Sequence, residues 1–337
     1  MTDRAWTWRA GAYLPCEIDG PPVPEPGRAI IRVHRVGVCG SDLLHLAEGV
    51  EDGQCFGHEW FGVVERVGEN AAVDPGQWVT GSPFIGCGVC AACGTGFTNH
   101  CRSVTVLGYG PMGGLRSWLD LPSDQLAVVP ADLHTIGVLL EPASVAVEAG
   151  RLLEAGGPVS GSIAVIGAGP IGILVGCWLL DHGYEPVMFE SIPHRLAVAR
   201  GLTLATVDAA DSHAMAEHQA RYQAIIDCSS FVGQGNGWQT VFALAARAAR
   251  VVCVAKYPGE SAIRVDRLAR NALTAVWMRG APHDALRQAI GWGPQLLARH
   301  DRLGCEFLPA ERLHEGLDRA SRGESTGKIV LLMGGRA

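Results

Sequence analysis

The chain has 337 residues, 48% hydrophobic and 18% charged, with a formal net charge of −7. That length accommodates two domains with separate cores, and the acidic balance excludes a nucleic-acid surface, which needs concentrated basic charge. No apolar run approaches the roughly 20 residues that span a bilayer, and the start, MTDRAWTWRAG, lacks the apolar core of a secretory signal. A cytoplasmic protein is therefore expected, with neither nucleic acid nor membrane as a partner. Eleven cysteines, odd in number and partly clustered, fit a reducing compartment better than a disulfide scaffold.

The first segment reads as short strands, RAIIRVHRVGVCG, FGVVERVGE and GQWVTGS, with Pro and Gly between them. Valine and isoleucine alternation broken by turn residues predicts an antiparallel or barrel-like β domain. Cys39 stands in VGVCGSD, and His58 and Glu59 in FGHEWFG. The stretch GCGVCAACGTGFTNHC then sets Cys87, Cys90, Cys93 and Cys101 at C-x-x-C-x-x-C-x₇-C. Four thiolates at that spacing predict a closed tetrahedral zinc site, which orders a loop and leaves no position for substrate. A catalytic zinc instead takes three protein groups and keeps one position open. Cys39, His58 and Glu141, in LLEPASVAVEAG, are the expected donors, with Glu59 as a further ligand or a supporting carboxylate.

From about Ala143 strands alternate with helical stretches: SIAVIGAG, PIGILVGCWLLDHG, EPVMFE, AIIDCSS, ARVVCVAKY and LTAVWMRG. That order predicts a parallel sheet covered on both faces. Gly167-Ala168-Gly169-Pro170-Ile171-Gly172 is G-x-G-x-x-G after a strand and at the start of a helix. There the glycines let a pyrophosphate rest on the helix N-terminus. Glu190 ends the next strand, about 20 residues on, where a carboxylate holds the adenosine ribose. A 2′-phosphate about 4 Å from that carboxylate is repelled by roughly 4 kcal/mol at an effective dielectric near 20, so NAD is expected over NADP, with Arg195 close enough in sequence to approach the ribose. Cys228 follows Asp227 at a strand end where the cofactor crevice should open. The tail carries an amphipathic helix and a last strand that returns to the first domain.

Taken in order, Cys39 in CGSD, Gly57-His58-Glu59, the four-cysteine lobe, the E-P-x-S segment and G-x-G-x-x-G resemble the medium-chain, zinc-dependent alcohol and polyol dehydrogenases over essentially the whole chain. Glu141 is similar to the sorbitol-dehydrogenase-like branch. The resemblance implies an α/β fold: a GroES-like β domain split in sequence, 1–143 and 300–337, plus a Rossmann doubly wound parallel-sheet domain, 144–299. It further implies two zinc ions per chain, a small-molecule alcohol or ketone substrate, and a homodimer or homotetramer. By the same resemblance Ser41 passes on the hydroxyl proton, Arg279 lies near the cofactor, and Lys328 in TGKIVLL lies near the pyrophosphate. The relay histidine common in the family is here Leu44, with His45 one residue later. A secondary alcohol of a polyol, sugar or cyclitol is the expected substrate. The GHEW segment and the short spacer before it also resemble aminocyclitol dehydrogenases of aminoglycoside antibiotic biosynthesis. An NAD-binding structural protein retaining only the structural zinc is the reading from another class.

Overall fold

The computed structural model describes residues 2–157, 159–229, 237–257 and 263–334. It divides into two compact units. The first holds Met1–Ser144, Ala281–Leu297 and Cys305–Ala337, and the second Val145–Gly280 and Ala298–Gly304.

The first unit opens with a hairpin, β1 (Arg4–Arg9) and β2 (Ala12–Glu17). There follow β3 (Arg28–Gly37), α1 (Gly40–Glu48), β4 (Glu59–Val67) and β5 (Trp78–Gly81). The cysteine lobe contains β6 (Phe84–Ile85), the single turn α2 (Ala91–Gly94) and β7 (Thr105–Val106). Next come β8 (Trp118–Pro122), β9 (Leu126–Val128) and α3 (Leu140–Glu154), a helix that begins in the first unit and continues from Val145 in the second.

In the second unit strands and helices alternate. They are β10 (Ser162–Ile166), α4 (Pro170–Asp181), β11 (Glu185–Glu190), α5 (Pro193–Gly201), β12 (Ala205–Asp208) and α6 (Ser212–Glu217). The alternation continues through β13 (Tyr222–Asp227), α7 (Gly237–Leu244), β14 (Ala245–Cys253), α8 (Val265–Arg270) and β15 (Thr274–Trp277). The chain then rejoins the first unit with α9 (His283–Leu297), β16 (Glu306–Pro309), α10 (Leu313–Ser321) and β17 (Ile329–Leu332).

The first unit is organised by a sheet of order β16-β17-β3-β4-β5-β9, with β8 also pairing β3. β3 carries the run Ala29, Ile30, Ile31, Val33 and Val36, all buried, so it forms the spine of the core. Its register sets Gly37 opposite Glu59 on one side and opposite Val330 on the other. Segments hundreds of residues apart in sequence thus meet at the end of β3.

The second unit is a wholly parallel six-stranded sheet of order β12-β11-β10-β13-β14-β15, the doubly wound arrangement of a dinucleotide-binding fold. Its central strands are continuous apolar runs, as a sheet covered on both faces requires: Ile163, Ala164 and Val165 in β10 and Ile225 and Ile226 in β13 are fully buried. The structure differs from the expected division at 281–297, which the sequence reading placed within the nucleotide domain. The apolar face of α9, Leu286, Ala289 and Leu296, is buried. Gly293 comes so close to Leu133 that a Cβ there would stand 2.4 Å from Leu133 Cδ1, which ties the helix to the first unit. No helix among the described residues is long and apolar enough to cross a membrane.

Candidate metal and nucleotide sites

The end of β3 and the start of β4 assemble the first donor set. Cys39 is the N-cap of α1, and His58 directly precedes β4. Ligand atoms of Cys39, His58 and Glu59 all lie within 4.8 Å of one another. Glu59 is fully buried, and its Oε2 has no hydrogen-bond partner. A buried carboxylate oxygen left unpartnered is costly unless something else coordinates it, so the trio, a soft sulfur, an imidazole nitrogen and a hard oxygen, fits a divalent metal of zinc's intermediate character. Gly37 makes the room: a Cβ there would stand 2.1 Å from Glu59 Oε2.

Asp42 and Lys328 hold the trio. Asp42 accepts the Cys39 backbone N–H through Oδ2 at 2.9 Å, and its Oδ1 stands 3.0 Å from His58 Nδ1. At that distance the carboxylate acts on the ring chiefly through charge. Burial opposes the charged imidazole, but the Asp42 carboxylate and the Cys39 sulfur hold His58 well above its ordinary range. Sequence reading missed this role of Asp42, although CGSD contains it. Lys328 is a correction. Expected beside a pyrophosphate, it is buried with its Nζ 2.6 Å from Glu59 Oε1 and 3.2 Å from the Val38 carbonyl. The β17–β3 register places it there, and it is committed to the carboxylate rather than open to a phosphate.

Glu141 falls outside the three-residue group but feels it. Burial, reinforced by the charge of Glu59 and partly offset by His58 and Lys328, pushes its carboxyl up to about 7. Ser41 Oγ lies 3.3 Å from Cys39 Sγ and 3.4 Å from His58 Nε2, at the edge of the trio. His45 falls four residues after Ser41, on the same face of α1. Its Nε2 pairs with Gln54 Oε1 at 2.7 Å, and its ring lies against Tyr109, 4.5 Å between centroids.

The second donor set is Cys87, Cys90, Cys93 and Cys101, again within 4.8 Å of one another and all free thiols. Gly86 leaves the space, since a Cβ there would stand 2.6 Å from Cys93 Sγ. Backbone N–H groups of Val89 and Cys90 aimed at Cys87 lower its thiol to about 6. Thiolates supported by backbone donors are what a four-sulfur zinc site requires.

In the second unit the glycine turn has the geometry its motif demands. Gly167 has φ +90, and a Cβ on Gly172 would stand 1.9 Å from the Gly167 carbonyl oxygen. Gly169 is the N-cap of α4, followed by Pro170 at its first position and Ile171, so free N–H groups face the turn. Glu190 is buried at the end of β11. It accepts N–H groups from Ala168 at 2.9 Å, Ser191 at 2.7 Å and Ile192 at 3.0 Å. Arg195 Nη1 stands 4.0 Å from Glu190 Oε2. Arg279 is exposed just after β15.

Residues 25–131 match the alcohol dehydrogenase GroES-like domain. An L-threonine 3-dehydrogenase of Bacillus subtilis is 34% identical over 45% of the chain and 46% of its own length, so the chain spans about half of that relative. The L-galactonate-5-dehydrogenase of Escherichia coli is 28% identical over 78% of the chain and 79% of the relative. Among solved structures, the 2R,3R-butanediol dehydrogenase of Bacillus subtilis superposes with a TM-score of 0.83, covering 98% of the chain and 99% of that protein at 23% identity, a likeness of fold.

Proposed function

Because the chain belongs to the medium-chain, zinc-dependent alcohol and polyol dehydrogenase family, we propose that it transfers a hydride between NAD and a secondary alcohol, or the matching ketone, of a polyol, sugar or cyclitol. The observation that carries the proposal is the buried group of Cys39, His58 and Glu59, in a chain whose second unit has the dinucleotide-binding strand order. When bound, a zinc ion supplies Lewis acidity toward the substrate oxygen, and the dinucleotide exchanges the hydride.

The chain's own residues do the rest. Cys39 and His58 offer a thiol and an imidazole nitrogen, and Glu59 offers the oxygen that Lys328 leaves unpaired. Asp42 fixes Cys39 through its backbone N–H and acts on His58 through charge. Glu141 supplies a second carboxyl close enough to feel that of Glu59. Ser41, at hydrogen-bonding distance from Cys39, is placed to take the substrate's hydroxyl proton. The four-cysteine lobe holds the second, structural zinc. In the second unit the turn at Gly167, Gly169 and Gly172 receives the pyrophosphate, and Glu190 takes the adenosine ribose. Arg195 and Arg279 are the flanking cations.

Glu190 supports NAD over NADP, because a 2′-phosphate beside a buried carboxylate is repelled. The polyol reading is supported by the L-galactonate relative, whose substrate is a polyhydroxylated acid. Initial rates over a panel of polyols, inositols, aminocyclitols and amino alcohols, each with NAD and with NADP, test the proposal. Turnover of a polyol or cyclitol with NAD is expected. Activity confined to amino alcohols overturns the substrate, and higher efficiency with NADP overturns the cofactor.

A further inference from the structure

The wall beside the buried donor group carries polar side chains that the proposed reaction leaves unused. α1 presents Ser41 and, one turn on, His45 along one face, and Ser41 Oγ lies 3.3 Å from Cys39 Sγ. Tyr109 spans the two. Its hydroxyl donates to the Ser41 carbonyl at 3.2 Å, and its ring centroid stands 6.3 Å from that of His58 and 4.5 Å from that of His45. One aromatic ring thus separates His45 from a candidate metal ligand. His58 and Glu59 are buried, whereas His45 and Gln54 are half-buried and Tyr109 is exposed, so the wall is open to solvent where the donors are not.

The loop that carries Gln54 is fixed from both sides. Trp8 N–H donates to the Gln54 carbonyl at 2.7 Å, Gly53 N–H to the Trp8 carbonyl at 2.9 Å and Phe56 N–H to the Trp6 carbonyl at 3.1 Å, which straps the loop to β1. Opposite, Cys55 N–H donates to the Gly110 carbonyl at 2.8 Å and Leu115 N–H to the Phe56 carbonyl at 2.9 Å. Gly113 permits that approach, since a Cβ there would stand 2.5 Å from the Phe56 carbonyl oxygen. A side chain on a strapped loop has little freedom left to lose on binding, and such preorganisation lets a polar contact discriminate between ligands.

The protons on the His45–Gln54 pair decide what it recognises. Gln54 Oε1 stands 2.7 Å from His45 Nε2. A carbonyl oxygen only accepts, so Nε2 carries the proton and the neutral ring keeps Nδ1 as an acceptor, while the Gln54 amide has N–H groups to donate. Turning the amide over exchanges the two roles and leaves the same balance: donor and acceptor together, without charge. A hydroxyl, which both donates and accepts, complements such a pair. An ammonium has no lone pair for the donor, and a carboxylate has no proton for the acceptor. Tyr109, its proton committed to the Ser41 carbonyl, offers its ring face to the carbon skeleton in between.

We propose that His45 and Gln54 set substrate specificity by binding a second hydroxyl of the substrate, several carbons from the reacting one, so that the site selects an uncharged polyhydric alcohol over a monohydric or amino alcohol. This rests on the dehydrogenase reading above, and the test separates the two. Values of kcat/KM with NAD are measured for sorbitol, myo-inositol and 2-butanol on the wild type, Gln54→Leu and Gln54→Glu, and the dissociation constant of the better polyol is measured by calorimetry on the same proteins. In Gln54→Leu the ratio of kcat/KM for that polyol to kcat/KM for 2-butanol is expected to fall about tenfold, and the polyol dissociation constant to rise by a similar factor. An equal loss on both alcohols, an unchanged dissociation constant, or a wild type that prefers 2-butanol overturns the proposal. Should Gln54→Leu not fold, Gln54→Glu, which replaces the amide donors with a charged acceptor, is judged by the same two readings. A wild type that turns over no alcohol of the panel overturns the dehydrogenase reading instead.

Discussion

In the four-cysteine lobe every donor is a thiol and Cys87 is exposed, whereas the group around Cys39 joins a thiol, an imidazole and a carboxylate, with His58 and Glu59 buried. The lobe is supported by its own backbone N–H groups. The buried group is supported by side chains from distant segments, Asp42 on α1 and Lys328 before β17. A locally supported, all-sulfur site has one task, to hold a metal and thereby a loop. A site of mixed donors, with charges balanced from outside, can leave a position for substrate. Substitutions that act differently on the two sites break or sharpen this contrast.

The largest effect is expected from His58→Ala, which removes a donor that only the buried site uses. Turnover falls at least about 1000-fold, roughly 4 kcal/mol in barrier, while NADH affinity stays near wild type. Steady-state kinetics beside a fluorescence titration would show it, and near-normal turnover would strike the buried site from the mechanism. Next is Lys328→Met, which leaves the buried Glu59 carboxyl without its cationic partner in the metal-free protein. A loss of about 3–5 kcal/mol is expected in urea unfolding, and an unchanged midpoint would mean that Glu59 is solvated.

Glu141 gives a pH signature. With its carboxyl raised from 4.5 to about 7, the folded metal-free protein binds a proton that the unfolded chain has already released. This group therefore costs stability progressively as pH rises from about 4.5 to about 7, by roughly 3 kcal/mol in total. Glu141→Gln should flatten that slope in unfolding midpoints taken between pH 5 and 8 on chelated protein. A slope unchanged by the substitution would assign it to other groups. The smallest effect is that of Asp42→Asn, expected to weaken zinc binding at the buried site about 10–100-fold and to leave the lobe untouched. Competition with a chromophoric chelator reads both sites, and parallel loss at the two would indicate general destabilisation.

Local pattern made the lobe and the glycine turn legible in the sequence. Cys87, Cys90, Cys93 and Cys101 lie within 15 residues of chain, and the turn from Gly167 to Gly172 sits between a strand and a helix whose periods differ. Cys39, His58 and Glu59 were legible as donors, because β3 and β4 bring them together across a short connection. What holds them was not. Lys328 reaches Glu59 across 269 residues of chain, through a sheet register that no local period encodes. Gly37 looks like any strand-end glycine until Glu59 is seen to occupy the volume of its missing Cβ. Asp42 reads as a helix-capping residue, and its contact with His58 depends on the angle at which α1 leaves β3. The placement of the helix His283–Leu297 is hidden for a similar reason: its amphipathic pattern shows that it packs, but not on which unit.

The central claim, two metals with separate tasks, is tested most directly by counting zinc per chain by elemental analysis in the wild type, Cys39→Ser and Cys93→Ser, with turnover measured on the same samples. The account predicts about two, one and one, with turnover lost in Cys39→Ser and retained in proportion to folded protein in Cys93→Ser. A wild type holding a single zinc, which Cys93→Ser abolishes and Cys39→Ser leaves in place, would contradict it.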